Sequence, residues 1–320
     1  MNEAETMIHR KRKITIWIIT IAIIAVALFG AGKYISYRTM PPFAAERNAL
    51  KTSYGDYLEF DDFNLWYEFL NPDSDKTPII VITGGSGLSS DYLEDSLQFL
   101  SDEHPLLFYD ARGCGRSQIK KDLSHYSISK FADECKAIKD FFFPDRNVIV
   151  LAHSFGGLIA MEYAAKYEAS LEGLVLISSV YADYKPQNTF AFLKTGLPPK
   201  NQDAANEWYM ENIDAFLGGY FYNTQAKTIF SNTVTSYSVS AHVGGAKKDI
   251  SEKVQGLEIP TLILVGEKNE HPLTTIDTAQ KLNQLFLNSE LHQIKHCGHF
   301  MFAEVPVVFQ DIVLSWIQQY

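Results

Sequence analysis

Ser154 stands where chemistry is first to be expected. It lies in "NVIVLAHSFGGLIAMEYAA", residues 147 to 165, where a run of apolar residues leads into Ala152, His153 and Ser154 and is followed by Phe155, two glycines and a helical pattern. A serine is out of place at the end of a buried strand, and paired glycines are poor helix formers. Strand, sharp turn and helix with serine at the apex is the arrangement that stands a hydroxyl clear of a sheet. Small residues two before and two after it, Ala152 and Gly156, let neighbouring backbone pass. The turn aims the Phe155 N–H at a substrate oxygen, and the helix N-terminus behind it favours developing negative charge.

A serine hydroxyl is a weak nucleophile and needs a general base. "HCGHF" supplies His299 late in the chain, after the last apolar run. An oxyanion-binding loop is expected after an earlier strand, and "TGGSG", residues 83 to 87, follows "PIIVI". Serine, late histidine and early glycine loop, in that chain order, point to acyl transfer through an acyl-enzyme. The competing reading is a metal site built from His292, His296, Cys297 and His299. Catalytic zinc takes three protein ligands in fixed geometry, and here His299 lies beyond a glycine turn with no second ligand cluster elsewhere. Neither a metal nor a cofactor is expected.

These residues need elements to position them, and the chain supplies strands alternating with helices. "PIIVITGG", "PLLFYDARG", "NVIVLAHS", "LEGLVLISS" and "PTLILVGE" read as buried strands ending in turns, after two aromatic-rich strands in "YLEFDDFNLWYEFLN". "SISKFADECKAIKDFFF", "FGGLIAMEYAAKYEA", "TTIDTAQKLNQLF" and "VPVVFQDIVLSWIQQY" read as helices, the first started by Ser127 or Ser129. Such alternation predicts a mostly parallel sheet covered on both faces. It breaks over residues 184–256, which are aromatic and polar without a good buried strand, and which read as a small helical cap. The core is then 56–183 with 257–320.

With 320 residues, 46% hydrophobic and 21% charged, the chain can bury a sizeable core. A net charge of −10 without a basic stripe excludes nucleic acid as partner. Three scattered cysteines are no disulfide framework.

The N-terminus differs. "HRKRK", residues 9–13, precedes "ITIWIITIAIIAVALFGAG", residues 14–32, whose only polar side chains are two threonines. At ~1.5 Å per residue that run matches a hydrocarbon core of ~30 Å. The expectation is an uncleaved transmembrane anchor with residues 1–13 cytoplasmic, 33–55 as linker, and the remainder outside the cytoplasm. The alternative is a cleaved signal peptide, which the length of the run and the missing Ala-x-Ala site oppose.

The chain from about 56 to 320 resembles the α/β-hydrolases, and among them the proline iminopeptidase group of serine peptidases. That group carries His-Gly-Gly-Pro-Gly where Thr83-Gly84-Gly85-Ser86-Gly87 stand here, followed by Tyr92 and Leu93 at similar spacing. Its Asp-Gln-Arg-Gly-Cys-Gly-Arg-Ser is close to Asp110-Ala111-Arg112-Gly113-Cys114-Gly115-Arg116-Ser117. The resemblance implies an eight-stranded, mostly parallel sheet with helices on both faces and a small helical cap. It implies Ser154 as nucleophile, His299 as base, and the N–H groups of Gly85 and Phe155 as oxyanion hole. The substrate would be a small molecule or short peptide, an amide or ester. For an iminopeptidase, cap carboxylates such as Glu207, Glu211 and Asp214 would hold the substrate ammonium; an esterase or a non-catalytic binding module are the other readings.

One departure concerns the acid that orients the histidine. In the family an aspartate lies three residues after the glycine that ends strand seven, and that position here is Asn269. Glu270 beside it is the favoured surrogate, with Glu267 and Asp183 as alternatives.

Overall fold

The computed structural model describes residues 15–28, 55–60, 63–85, 87–120, 122–186, 208, 211–231, 233 and 239–320. Residues 15–28 form a helix, α1, whose side chains are exposed and almost all apolar. Residue 14 and residues 29–32 of the expected anchor lie outside the described residues, and among the described residues no helix is long and apolar enough to cross a membrane.

The rest begins with strands β1 (Gly55–Phe60), β2 (Phe63–Leu70) and β3 (Ile79–Ile82), helix α2 (Asp91–Leu97) and β4 (Leu106–Tyr109). Then come α3 (Ile128–Phe142), β5 (Val148–His153), α4 (Gly156–Tyr167) and β6 (Leu171–Ile177). After β7 (Asp183–Tyr184) and β8 (Lys248–Asp249) follow β9 (Thr261–Gly266), α5 (Ile276–Leu285), β10 (Ser289–Ile294) and α6 (Pro306–Ile317). Eight strands form one sheet in the order β1-β2-β4-β3-β5-β6-β9-β10. The β1–β2 and β2–β4 pairs are antiparallel, and every other pair is parallel.

The apolar runs become central strands because both faces are covered. Ile80, Ile82, Val148, Val150 and Ala152 pack with Phe131, Ile138, Leu158 and Leu282 of α3, α4 and α5. Ile79, Val81, Ile149 and Leu151 alternate with them and are also fully buried, as the two-residue period of a strand requires. On that second face Trp316 of α6 lies against Gly173 of β6. Ser127 starts α3, its hydroxyl accepting from the Lys130 N–H, so the first of the two expected start signals is the one used.

Two short elements escape the sequence pattern. β7 and β8 pair antiparallel, Asp183 with Asp249 and Tyr184 with Lys248, and join the two ends of the intervening segment. Within it the described residues make short helical turns, Ile213–Leu217, Gly218–Tyr220, Thr224–Phe230 and Ser240–Gly244. Two-residue strands carry no periodicity to read.

A buried ionic centre locks the front of the sheet. Arg116 reaches Asp110 at 3.0 Å, Glu68 at 3.1 Å, Glu94 at 2.9 Å and Asp91 at 3.4 Å. It thereby ties the 110–117 loop to β2 and α2. The specific block that resembles the family is thus structural cement beside the site.

Candidate active site

β3 and β5 are adjacent and parallel, with Ile82 opposite Ala152. Their C-terminal ends release the glycine loop and the serine turn side by side, where ligands of open α/β sheets bind. Ser154 adopts a left-handed φ of 54°, a conformation costing a non-glycine residue ~1–3 kcal/mol. The surroundings hold it: the Ser154 N–H donates to Ile177 O at 2.8 Å, and its carbonyl accepts from the N–H of Gly157 at 3.0 Å. α4 starts at once, and a Cβ on Gly156 would lie 2.3 Å from the Thr83 carbonyl oxygen. Glycine is required there because the helix start crosses the end of β3.

Gly85 has φ 58°, which turns the loop back over the sheet. Gly85 and Phe155 line one narrow crevice, with Ile82, Tyr109, Cys114, Phe131 and Ile159 as its apolar walls. Among the described residues neither the Gly85 nor the Phe155 N–H has a hydrogen-bond partner. Two free donors on one crevice is what an oxyanion hole requires.

The histidine side is built around His153, which precedes the serine. Its Nε2 lies 3.3 Å from the His299 carbonyl oxygen, and its Nδ1 lies 2.9 Å from the Tyr92 hydroxyl. A carbonyl only accepts, so Nε2 carries the proton and Nδ1 accepts from Tyr92. The Tyr92 oxygen in turn accepts the Gly84 N–H at 2.6 Å. One chain of hydrogen bonds therefore joins the glycine loop, the serine turn and the His299 backbone. Burial pushes the His153 imidazole down to about 3, so it is neutral and fixed in this tautomer.

His299 is itself buried, 2% exposed. Its N–H donates to Tyr220 O at 2.7 Å, its ring lies 4.7 Å from that of His153, and the His271 ring stacks on it at 4.8 Å. Burial holds its imidazole well below the ordinary histidine range, and His153 and His271 push the same way. Its Nδ1 lies 3.1 Å from Thr274 Oγ1.

The expected acid is therefore corrected. Glu270 is exposed, and the Nδ1 contact belongs to Thr274. The turn after β9 is the reason. The Asn269 N–H donates to Gly266 O, which brings Asn269 inward to 9% exposure and leaves Glu270 facing out. Asn269 Oδ1 then accepts the His271 N–H at 3.1 Å, and Nδ2 donates to the Thr274 carbonyl at 2.8 Å and to Thr274 Oγ1 at 3.1 Å. Glu267 is exposed beside Lys268, and Asp183 pairs with Lys185 on β7.

Of the cap acids, Glu211 is exposed, Asp214 pairs with Lys227, and Glu207 lies outside the described residues. His292 meets Glu290, and His296 is exposed. Thr274 was not legible in the sequence: in "HPLTTID" it is indistinguishable from Thr275, yet Thr275 caps α5 by accepting from Thr278 N and Thr274 faces the site. His153 had one signal, its place next to Ser154.

Comparison with known proteins identifies the fold. The family described as alpha/beta hydrolase fold matches residues 77–306. A proline iminopeptidase of Thermoplasma volcanium is 26% identical over 82% of this chain and 96% of its own length. One of Saccharolobus solfataricus is 24% identical over 82% of this chain and 92% of its own. Among solved structures, a proline iminopeptidase of Mycobacterium smegmatis superposes with TM-score 0.66 at 19% identity, covering 83% of this chain and 98% of its own. An esterase from Rhodococcus does so with TM-score 0.67 at 21% identity, covering 83% and 98%.

Proposed function

Because the chain belongs to the α/β-hydrolase family and is proline iminopeptidase-like, we propose that it is a serine hydrolase working through an acyl-enzyme. Ser154 attacks a carbonyl, His299 takes and returns the proton, and the N–H groups of Gly85 and Phe155 hold the oxyanion. The observation that carries this reading is the strained left-handed Ser154, held at the start of α4 beside Gly85 and Phe155, whose N–H groups have no partner among the described residues. Strain of that kind persists where a function selects it. A fluorophosphonate probe should label the full chain at Ser154 and leave Ser154→Ala unlabelled; equal labelling of both proteins would sink the assignment.

The substrate is read as a small amide or ester, including an N-terminal residue of a peptide. The amide reading draws support from the proline iminopeptidases that the chain resembles over most of its length. A panel of prolyl and other aminoacyl amides beside short acyl esters separates the two by relative kcat/KM.

The same proposal gives residues 184–256 the role of cap over the core formed by 56–183 and 257–320. It makes residues 14–32 a single-pass membrane anchor, with 33–55 as linker and the hydrolase outside the cytoplasm. The support is the uncharged run with its basic N-terminal flank. A reporter fused after Tyr320 should be active as an exported protein, and cytoplasmic reporter activity would exclude this topology.

A further inference from the structure

We propose that Thr274, directed by Asn269, donates its hydroxyl proton to Nδ1 of His299 and so holds the resting histidine with its ring proton on Nε2, the tautomer opposite to the one a base needs. This rests on the reading of His299 as the base of Ser154.

The direction of the chain follows from which groups can only donate or only accept. The Asn269 amide contacts the His271 N–H through Oδ1 at 3.1 Å and the Thr274 carbonyl through Nδ2 at 2.8 Å. An N–H cannot accept and a carbonyl cannot donate, so the amide has one orientation. The second Nδ2 proton has Thr274 Oγ1 at 3.1 Å and, farther off, Ser178 Oγ at 3.4 Å, and goes to the nearer Thr274 oxygen. Thr274 is 1% exposed, and its hydroxyl has a single proton. Among the described residues the acceptor within reach of that proton is His299 Nδ1, at 3.1 Å. Donation to Nδ1 satisfies every group in the chain. The reverse arrangement, with Nδ1–H donating to Thr274, leaves a buried hydroxyl proton without an acceptor.

The groups packed on the His299 ring do not oppose this. His153 and His271 are neutral by burial, pushed down to about 3 and about 4. Tyr220 lies 5.6 Å away ring to ring, and burial raises its phenol. Phe300 packs edge-on. Glu267 and Glu270 are at the surface. A carboxylate at the Asn269 position would have accepted and pulled the proton onto Nδ1; the amide pushes the other way. Thr274 is thus a positioning residue that leaves the dyad latent, and turnover requires the ring to change tautomer and the Thr274 hydroxyl to turn away.

The experiment is ¹⁵N NMR of the full chain in detergent, labelled at histidine, with the His299 ring assigned by its loss in His299→Gln. At pH 7.5 the expected result is an unprotonated Nδ1 and a protonated Nε2, retained in Thr274→Ser. A protonated Nδ1 in the resting protein overturns the proposal. Thr274→Asp replaces the donor by an acceptor. It should move the proton to Nδ1, raise kcat by at least about tenfold and shift the acidic limb of the kcat profile to higher pH, because a carboxylate stabilises the imidazolium. A variant with the wild-type tautomer and pH limb would also overturn it. The ring signals are read without turnover. Failure of Ser154 to take the fluorophosphonate would therefore refute the catalytic reading separately from the tautomer.

Discussion

Two buried polar centres of this protein are built on opposite principles. Around Arg116 the chain concentrates charge: four carboxylates, from Glu68, Asp91, Glu94 and Asp110, reach one guanidinium. Around His299 it removes charge: His153 and His271 flank the ring, and Nδ1 meets a hydroxyl that is itself held by an amide. The first centre binds elements together and must not move. Under the proposed reading of His299 as base the second must let a proton move, and with no carboxylate behind the ring the imidazolium would lack a balancing charge. The lesson is that the most family-like block, 110–117, serves the lock, while the proposed site rests on neutral groups that the family pattern does not announce.

The comparison breaks most visibly at the serine. Ser154→Ala or His299→Ala should cost on the order of 10³ or more in kcat with folding intact, measured on whichever ester or amide proves to be turned over; retention of most of the activity would place the chemistry elsewhere. Next is the lock. Arg116→Met leaves its carboxylates buried without their cation, and breaking such an ion cluster costs about 3–5 kcal/mol, read as a lowered urea midpoint. An unchanged midpoint would mean that the cluster neutralises itself by taking up protons.

The two centres also give stability opposite pH dependences. Burial raises Asp91 and Glu94 to about 7, against the pull of Arg116. Unfolded carboxylates titrate near ~4, so between ~4 and ~7 the folded state holds more protons, and Tm falls as pH rises through that window. Burial lowers His153 to about 3 and His271 to about 4. Unfolded histidine titrates near ~6.5, so the unfolded state holds more protons below that, and Tm falls as pH drops from ~6.5 toward ~4. The two windows overlap, so between pH ~4 and ~7 Glu94→Gln should make Tm rise more with pH than in the wild type, and His271→Leu should make it rise less. Parallel curves for wild type and both variants would contradict the assignment.

The smallest effect sharpens the comparison within the site. Ser154→Gly removes the penalty of a left-handed side-chain residue and should raise stability by about 1 kcal/mol while abolishing activity. A lowered Tm would show that the hydroxyl contributes more than the strain costs.

Much of this was legible in the chain. Buried strands declare themselves as unbroken apolar runs, because a central parallel strand meets apolar neighbours on both faces, as Ile79–Ile82 and Val148–His153 do. The serine turn was legible because its chemistry needs glycine at Gly156 and a strand before it, both local demands. The place of Phe155 followed, since its N–H comes with the turn itself, whereas Gly85 was named through the family resemblance. What stands at Nδ1 of His299 did not follow. Glu270 and Thr274 are both a few residues from the end of β9, and only the path of the loop decides which one faces inward. That path is set by the Asn269 N–H on Gly266 O and by the Asn269 side chain gripping His271 and Thr274. The same holds for His153, whose ring acquires its role from Tyr92 and the His299 carbonyl, each more than sixty residues away in the chain. Local pattern determined strands, helices and the serine turn, because each is dictated by the next few residues. The hydrogen-bond partners of the histidines were decided by packing between distant segments, which no local spacing encodes.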